Sequence, residues 1–235
     1  MSALPLLLTH SYGATRHMWA SFADHVRARH PVIDWNLPGH GTAGGPGLPP
    51  EAFEREALVR QMKNLLGGQR AVLVGHSLGG YLSLALALAH PECVAGLVLV
   101  STGPGFRKEA ARDQWNAFAG QQASDLEEGG LERLRIGRNM PGNDHADAAG
   151  LALAARRTLT QKDSVVIDSL GEIMAPTLVV CGSDDRAEFL AGANYLAQKI
   201  PESELALIPG AAHAPNIDNP PAFHARVDAF LERMA

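Results

Sequence analysis

Cysteine is scarce in this chain. Cys93 and Cys181 are the two thiols among 235 residues, and neither sits in a metal-binding or redox spacing. Two cysteines in apolar segments read as buried and reduced, and the sequence leaves a bridge between them open. Basic excess is also lacking. A net charge of −5 gives no electrostatic footprint for nucleic acid or an anionic membrane. No apolar run reaches the length that spans a bilayer. The histidines are dispersed, without an H-E-x-x-H or similar ligand spacing, so neither a metal nor another cofactor is implied. Internal repeats and low-complexity tracts are missing too. The opening Met1-Ser2-Ala3-Leu4-Pro5-Leu6-Leu7-Leu8 lacks a positive leader and a small-residue cleavage site. It reads as a strand rather than a signal peptide, and a cytoplasmic location is expected.

What remains is an ordinary globular composition, 46% hydrophobic and 19% charged. The length fits one large domain or one domain with an insertion. Residues 4–8, 32–35, 71–74, 94–100, 177–180 and 205–208 read as strands. Several are continuous apolar runs, as expected of strands covered on both faces. Helical patterns lie between them at 18–29, 51–66, 81–89, 187–200 and 221–234. The alternation implies an α/β fold: a mostly parallel sheet of about six strands with helices on both faces. Residues 102–171 break the rhythm. They hold helical patterns at 109–119, 126–135 and 146–160 and no convincing strand. The expected organisation is a core of residues 1–101 and 172–235 with a small helical cap, 102–171, inserted at a strand's carboxyl end. In open α/β sheets that end overlooks the ligand crevice.

The densest chemical signal is Gly75-His76-Ser77-Leu78-Gly79. A β-branched run feeds this G-x-S-x-G turn and an apolar helix follows, the context that exposes a serine Oγ above a sheet. Gly75 and Gly79 answer a steric need, because side chains there would collide as the chain reverses. A serine hydroxyl needs a base, and the base needs an orienting group. Both lie downstream. Residues 177–185 form a strand ending in Gly182-Ser183-Asp184-Asp185, and 205–208 run into Pro209-Gly210-Ala211-Ala212-His213. Serine, acid and histidine therefore appear in that order, each on a loop at one sheet edge. Asp184 and Asp185 are neighbours whose side chains diverge, so at most one of them is expected to face His213.

These features resemble the α/β-hydrolase superfamily over nearly the whole chain. Thr9-His10-Ser11-Tyr12-Gly13 with Trp19 is similar to the family's His-Gly loop. Asn36-Leu37-Pro38-Gly39-His40-Gly41 is similar to its D-x-x-G-H-G segment, and residues 75–80 to its nucleophile elbow. Residues 89–100 are similar to the passage from the elbow helix into the next strand. The resemblance implies Ser77 as nucleophile, His213 as general base and then acid, and Asp185 as the orienting carboxylate by its G-x-x-D spacing. It implies an oxyanion hole from the backbone N–H groups of Leu78 and Tyr12. Three departures stand out. Ser11 replaces a usual glycine, Asn36 replaces a usual aspartate, and the family's first two strands are missing. A six-stranded sheet then leaves the chain's second strand at an edge, where pairing into a dimer is open; monomer and homodimer both fit.

The expected activity is hydrolysis of a small carboxylic ester through a Ser-His-Asp triad and an acyl-enzyme, with a small-molecule partner. Enol-lactone opening and hydrolytic C–C cleavage use similar elbows. Two other classes stay open: a cofactor-free haloperoxidase or acyltransferase, and a ligand-binding protein without turnover. Ser11, Trp115, Phe118 and Met140 are candidates to line a substrate pocket. Trp19 and Trp35 read as core residues, His10 and His40 as ligands of loop backbone, and His76 as a structural neighbour of the elbow. The cap arginines, among them Arg133, Arg135, Arg156 and Arg157, read as a solvated face beside Glu127, Glu128 and Glu132.

Overall fold

The computed structural model describes residues 3–42, 47–135 and 144–234. Six strands, β1 (Leu6–Thr9), β2 (Val32–Asp34), β3 (Ala71–His76), β4 (Val94–Val100), β5 (Thr177–Gly182) and β6 (Ser203–Ile208), form one sheet in the order β2-β1-β3-β4-β5-β6. Every pairing is parallel. This is the expected α/β architecture, with β2 and β6 at its edges. The helices are α1 (Ala20–Val26), α2 (Arg55–Leu65), α3 (Leu78–Ala89), α4 (Glu109–Gly129), α5 (Ala148–Ala154), α6 (Val165–Asp168), α7 (Ala187–Lys199), α8 (Pro215–Asp218) and α9 (Pro220–Glu232). None among the described residues is long and apolar enough to cross a membrane.

Successive strand residues point to opposite faces, and both faces are covered. Leu7, Leu73, Leu97, Leu99 and Val179 pack with Leu58 and Met62 of α2, Leu82 and Leu86 of α3, and Leu196 of α7. Leu6, Leu8, Val72, Val74, Val98 and Val180 pack on the other face with Trp19, with Phe22 of α1 and with Phe223 and Val227 of α9. That two-sided burial is why β3 and β4 read as unbroken apolar runs. Cys93 and Cys181 are buried and unbridged.

Between β4 and β5 every described element is helical. One difference from the sequence expectation is α4, which runs on through residues 120–125 between the patterns at 109–119 and 126–135 and ends at Gly129, where a 3-10 turn, Gly130–Arg133, follows. Ala119, Ala123 and Leu126 are buried, and the last two pack against Leu151, Ala152 and Ala155. This burial carries the helix through Gly120, overriding the local propensity. Beyond α5 the chain widens into a π-helical turn, Ala155–Leu159. The Trp115 indole N–H of α4 donates to Leu159 O at 2.7 Å and ties this turn to α4.

A tight passage of the core lies between β3 and α3. Ser77 there has φ 51° and ψ −110°, a region costing about 1–3 kcal/mol for a non-glycine residue. A Cβ on Gly75 would lie 2.4 Å from Gly79 O, and one on Gly79 would lie 2.2 Å from Thr9 O. Neither backbone atom can yield without moving a strand or the helix. Gly79→Ala is therefore expected to cost at least about 2 kcal/mol through overpacking. The check is the urea midpoint, and an unchanged midpoint contradicts the steric account.

Candidate active site

The sheet's carboxyl rim collects the groups singled out in the sequence. Ser77 follows β3, and three hydrogen bonds pin its backbone. Its N–H donates to Val100 O at 2.8 Å, while its carbonyl accepts from Tyr81 N–H at 3.1 Å and from the Thr102 hydroxyl at 2.6 Å. Asp185 lies in the turn after β5, and His213 lies in the loop after β6. His213 Nδ1 is 3.0 Å from Asp185 Oδ2 and 3.2 Å from Oδ1. The adjacent Asp184 is exposed and accepts instead from the Ser183 hydroxyl at 2.8 Å. Among the described residues the hydrogen bonds of the His213 ring run to Asp185, and none joins it to Ser77 Oγ.

Burial works against a charge on Asp185. The His213 ring and the Arg186 N–H, which donates to Oδ1 at 2.8 Å, outweigh it and hold the carboxyl below its ordinary value. Cys181 adds a weak S–H donor 3.5 Å from Oδ2, its own thiol pushed up to about 12 chiefly by burial. Two further side chains position His213. The Phe189 ring lies 4.1 Å from the imidazole, centroid to centroid. His76 Nε2 donates to the His213 carbonyl at 2.6 Å, which fixes the His76 tautomer.

Leu78 N–H opens α3, and Tyr12 N–H lies in the loop after β1. Neither amide is used in a hydrogen bond among the described residues. A buried histidine network holds the Tyr12 loop. His10 Nδ1 donates to Ser11 O at 2.8 Å, and His10 Nε2 accepts from Leu37 N–H at 2.9 Å. His145, between α4 and α5, accepts from Gly41 N–H at 2.8 Å and donates to Gly13 O at 3.0 Å. Ser11 is buried and does not adopt a left-handed backbone, so this position needs no glycine.

A cavity of about 560 Å³ opens beside Ser77, lined by Leu78, Tyr81, Phe106, Trp115, Gln161 and Phe189 among others. Of the four candidate pocket residues, Trp115 lines it. Phe118 is half exposed with its ring on Trp115, Ser11 lies outside the lining, and Met140 falls outside the described residues. Arg156 pairs with Glu127 on the exposed face of the helical region, and Arg157 pairs with Glu54. Among the described residues no cluster of His, Cys, Asp and Glu is gathered to hold a metal. Sequence reasoning did not find Phe189, Thr102 or His145 as site residues. Each acts through a contact with a residue distant in the chain, which no local pattern records.

The family model described as "Alpha/beta hydrolase family" matches residues 6–226. The chain belongs to the alpha/beta hydrolase family. It is similar to the pimeloyl-(acyl-carrier protein) methyl ester esterases of Nitrosospira multiformis and Aromatoleum aromaticum. The first is 29% identical, covering 96% of this chain and 93% of the relative; the second is 30% identical, covering 94% and 95%. Among solved structures, MenH from S. aureus superposes with a TM-score of 0.86 over 100% of this chain and 95% of its own, at 22% identity. This alpha/beta hydrolase is a hydrolytic enzyme, and its curated relatives carry an esterase name.

Buried neutral imidazoles make its stability depend on pH. Burial lowers His10 to about 4 and His76 to about 3, and holds His40 well below its ordinary value. In the unfolded chain histidine titrates near 6.5. Below about pH 6.5 the unfolded chain therefore binds protons that the fold excludes. The stabilisation is complete above that pH and is lost as pH falls toward 4. Each such imidazole accounts for about 1.5 kcal/mol lost between pH 6.5 and 5. Urea unfolding at pH 7.5, 6 and 5 is expected to fall steadily in stability, and a flat profile contradicts neutral burial.

Proposed function

We propose that the protein is a serine esterase acting on small carboxylic esters, with Ser77 as nucleophile, His213 as base and then acid, and Asp185 orienting His213. The observation that carries this is the 3.0 Å His213–Asp185 contact beside a strained serine at the edge of a largely apolar cavity. The esterase names of relatives that span nearly the same length favour an ester over a lactone or a C–C bond. Residues 102–171 serve as the cap over the core of 1–101 and 172–235.

In this reading Ser77 Oγ attacks the ester carbonyl while its proton passes to His213 Nε2. Nucleophile–base contacts are commonly long in unliganded enzymes and tighten with substrate. The developing oxyanion lies on the Leu78 and Tyr12 amides, each contributing about 3–4 kcal/mol. Collapse breaks the bond to the alcohol oxygen, which takes the proton from His213. Water then attacks the acyl-enzyme, gives a proton to His213, and Ser77 leaves with that proton as the acid is released. Asp185 keeps the Nδ1–H tautomer and stabilises the imidazolium.

Steady-state hydrolysis of p-nitrophenyl butyrate tests the roles. Ser77→Ala is expected to lower kcat by at least about a thousandfold, and Asp185→Asn by about 10³–10⁴-fold. Ser77→Ala at the wild-type rate overturns the proposal. Full activity in Asp185→Asn alongside loss in Asp184→Asn reassigns the acid.

A further inference from the structure

The cavity beside Ser77 is mostly apolar, yet its wall holds a polar pair that the proposed chemistry does not use. Gln161 is 7% exposed, and its carboxamide oxygen has no hydrogen-bond partner. Its backbone is held firmly. The N–H donates to Asn116 Oδ1 at 2.7 Å, and the carbonyl accepts from Asn116 Nδ2 at 3.0 Å. The side chain is therefore fixed at its root and unsatisfied at its tip. A buried acceptor without a donor is costly and rare. Tyr81 is its neighbour. The position a Cβ would take on Gly105 lies 2.4 Å from Gln161 Oε1 and 3.5 Å from the Tyr81 ring.

The Tyr81 hydroxyl is oriented from behind. Arg55 Nη1 donates to it at 3.2 Å, and Arg55 is clamped by Asp163 through two bonds of 2.8 Å. With the oxygen accepting from Arg55, its own hydrogen has no acceptor among the described residues. Trp115 N–H and the Thr102 hydroxyl, also in the wall, are already committed to carbonyls. Tyr81 and Gln161 thus offer a donor and a carboxamide, whose two ends exchange by rotation about its last torsion. Tyr81 is one helical turn from Ser77, about 6 Å along the axis. About six chain atoms match this backbone rise, and that is the length assigned to the substrate chain.

We infer that Tyr81 and Gln161 are specificity-determining residues that select a substrate chain bearing an uncharged hydrogen-bonding group, such as a hydroxyl, amide or ester carbonyl, about six atoms from the scissile carbonyl. The group is uncharged because the cation behind Tyr81 is already paired with Asp163, while Arg186, the other arginine in the cavity wall, lies over the Phe189 ring. This inference deepens the esterase reading and, for turnover, rests on it.

The test compares kcat/KM for methyl 6-hydroxyhexanoate against methyl hexanoate, and for 4-hydroxybutyl acetate against butyl acetate, so that the hydroxyl lies about six atoms from the carbonyl carbon on either side of the ester. The ratio within a pair cancels any general loss of activity. In the wild type one pair is expected to favour the hydroxy ester about tenfold. That preference should collapse in both Gln161→Leu and Tyr81→Phe. No preference in either pair, or a preference that survives both variants, overturns the inference. Monomethyl adipate is expected to rank below the hydroxy ester, and the opposite ranking overturns the uncharged assignment. Should the wild type hydrolyse no ester at all, the esterase reading fails by itself. Thermal shifts with 7-hydroxyheptan-2-one and heptan-2-one, which carry a carbonyl but no leaving group, then decide this inference. Stronger stabilisation by the hydroxy ketone, lost in both variants, supports it, and equal stabilisation overturns it.

Discussion

Backbone-to-backbone contact at the turn between β3 and α3 is the constraint on which the site depends. Gly75 meets Gly79, and Gly79 meets Thr9, at distances that leave no room for a side chain. The helix is thereby brought down onto the strands, and Ser77 is forced into a conformation that an unconstrained serine avoids. The cost is tolerated because Val100, Tyr81 and Thr102 each hold the Ser77 backbone. Together they fix the backbone from which its hydroxyl projects, at the start of α3.

Around that turn, residues from distant parts of the chain stabilise one another's loops. His76, next to Ser77, holds the backbone of the His213 loop, and the Phe189 ring of α7 packs at a tilt against the imidazole. On the opposite side, His145 bridges the loops at Gly13 and Gly41, while the Tyr12 hydroxyl donates to Leu151 O of α5 at 3.2 Å. The helical region between β4 and β5 is therefore tied directly to the loop that carries the Tyr12 amide. Displacing that region would disturb the loop as well as the cavity, which links substrate shape to the preorganisation of the site.

Much of this was legible in the sequence, and the reasons are local. The apolar runs at β3 and β4 exist because both sheet faces are covered, so strand identity and burial coincide. The glycine spacing around Ser77 reports a collision that any elbow of this type must avoid. The family's G-x-x-D spacing favours Asp185 over Asp184, and Asp185 Oδ2 lies 3.0 Å from His213 Nδ1. The extent of α4 was not legible, because burial of Ala123 and Leu126 against α5 decides it rather than the residues at its apparent break. The support given by Phe189 and Thr102, and the Gln161–Tyr81 pair, were likewise hidden. Their meaning comes from neighbours that the fold supplies and local sequence patterns do not.

The proposed reaction requires Ser77 to become an attacking oxygen while two backbone amides receive the charge. A crystal structure after reaction with a fluorophosphonate tests this most directly. The predicted result is one phosphorus–oxygen bond to Ser77 Oγ, with a non-bridging oxygen about 2.7–3.1 Å from both the Leu78 and Tyr12 nitrogens. An adduct on another residue, or no adduct on a folded protein, would contradict it.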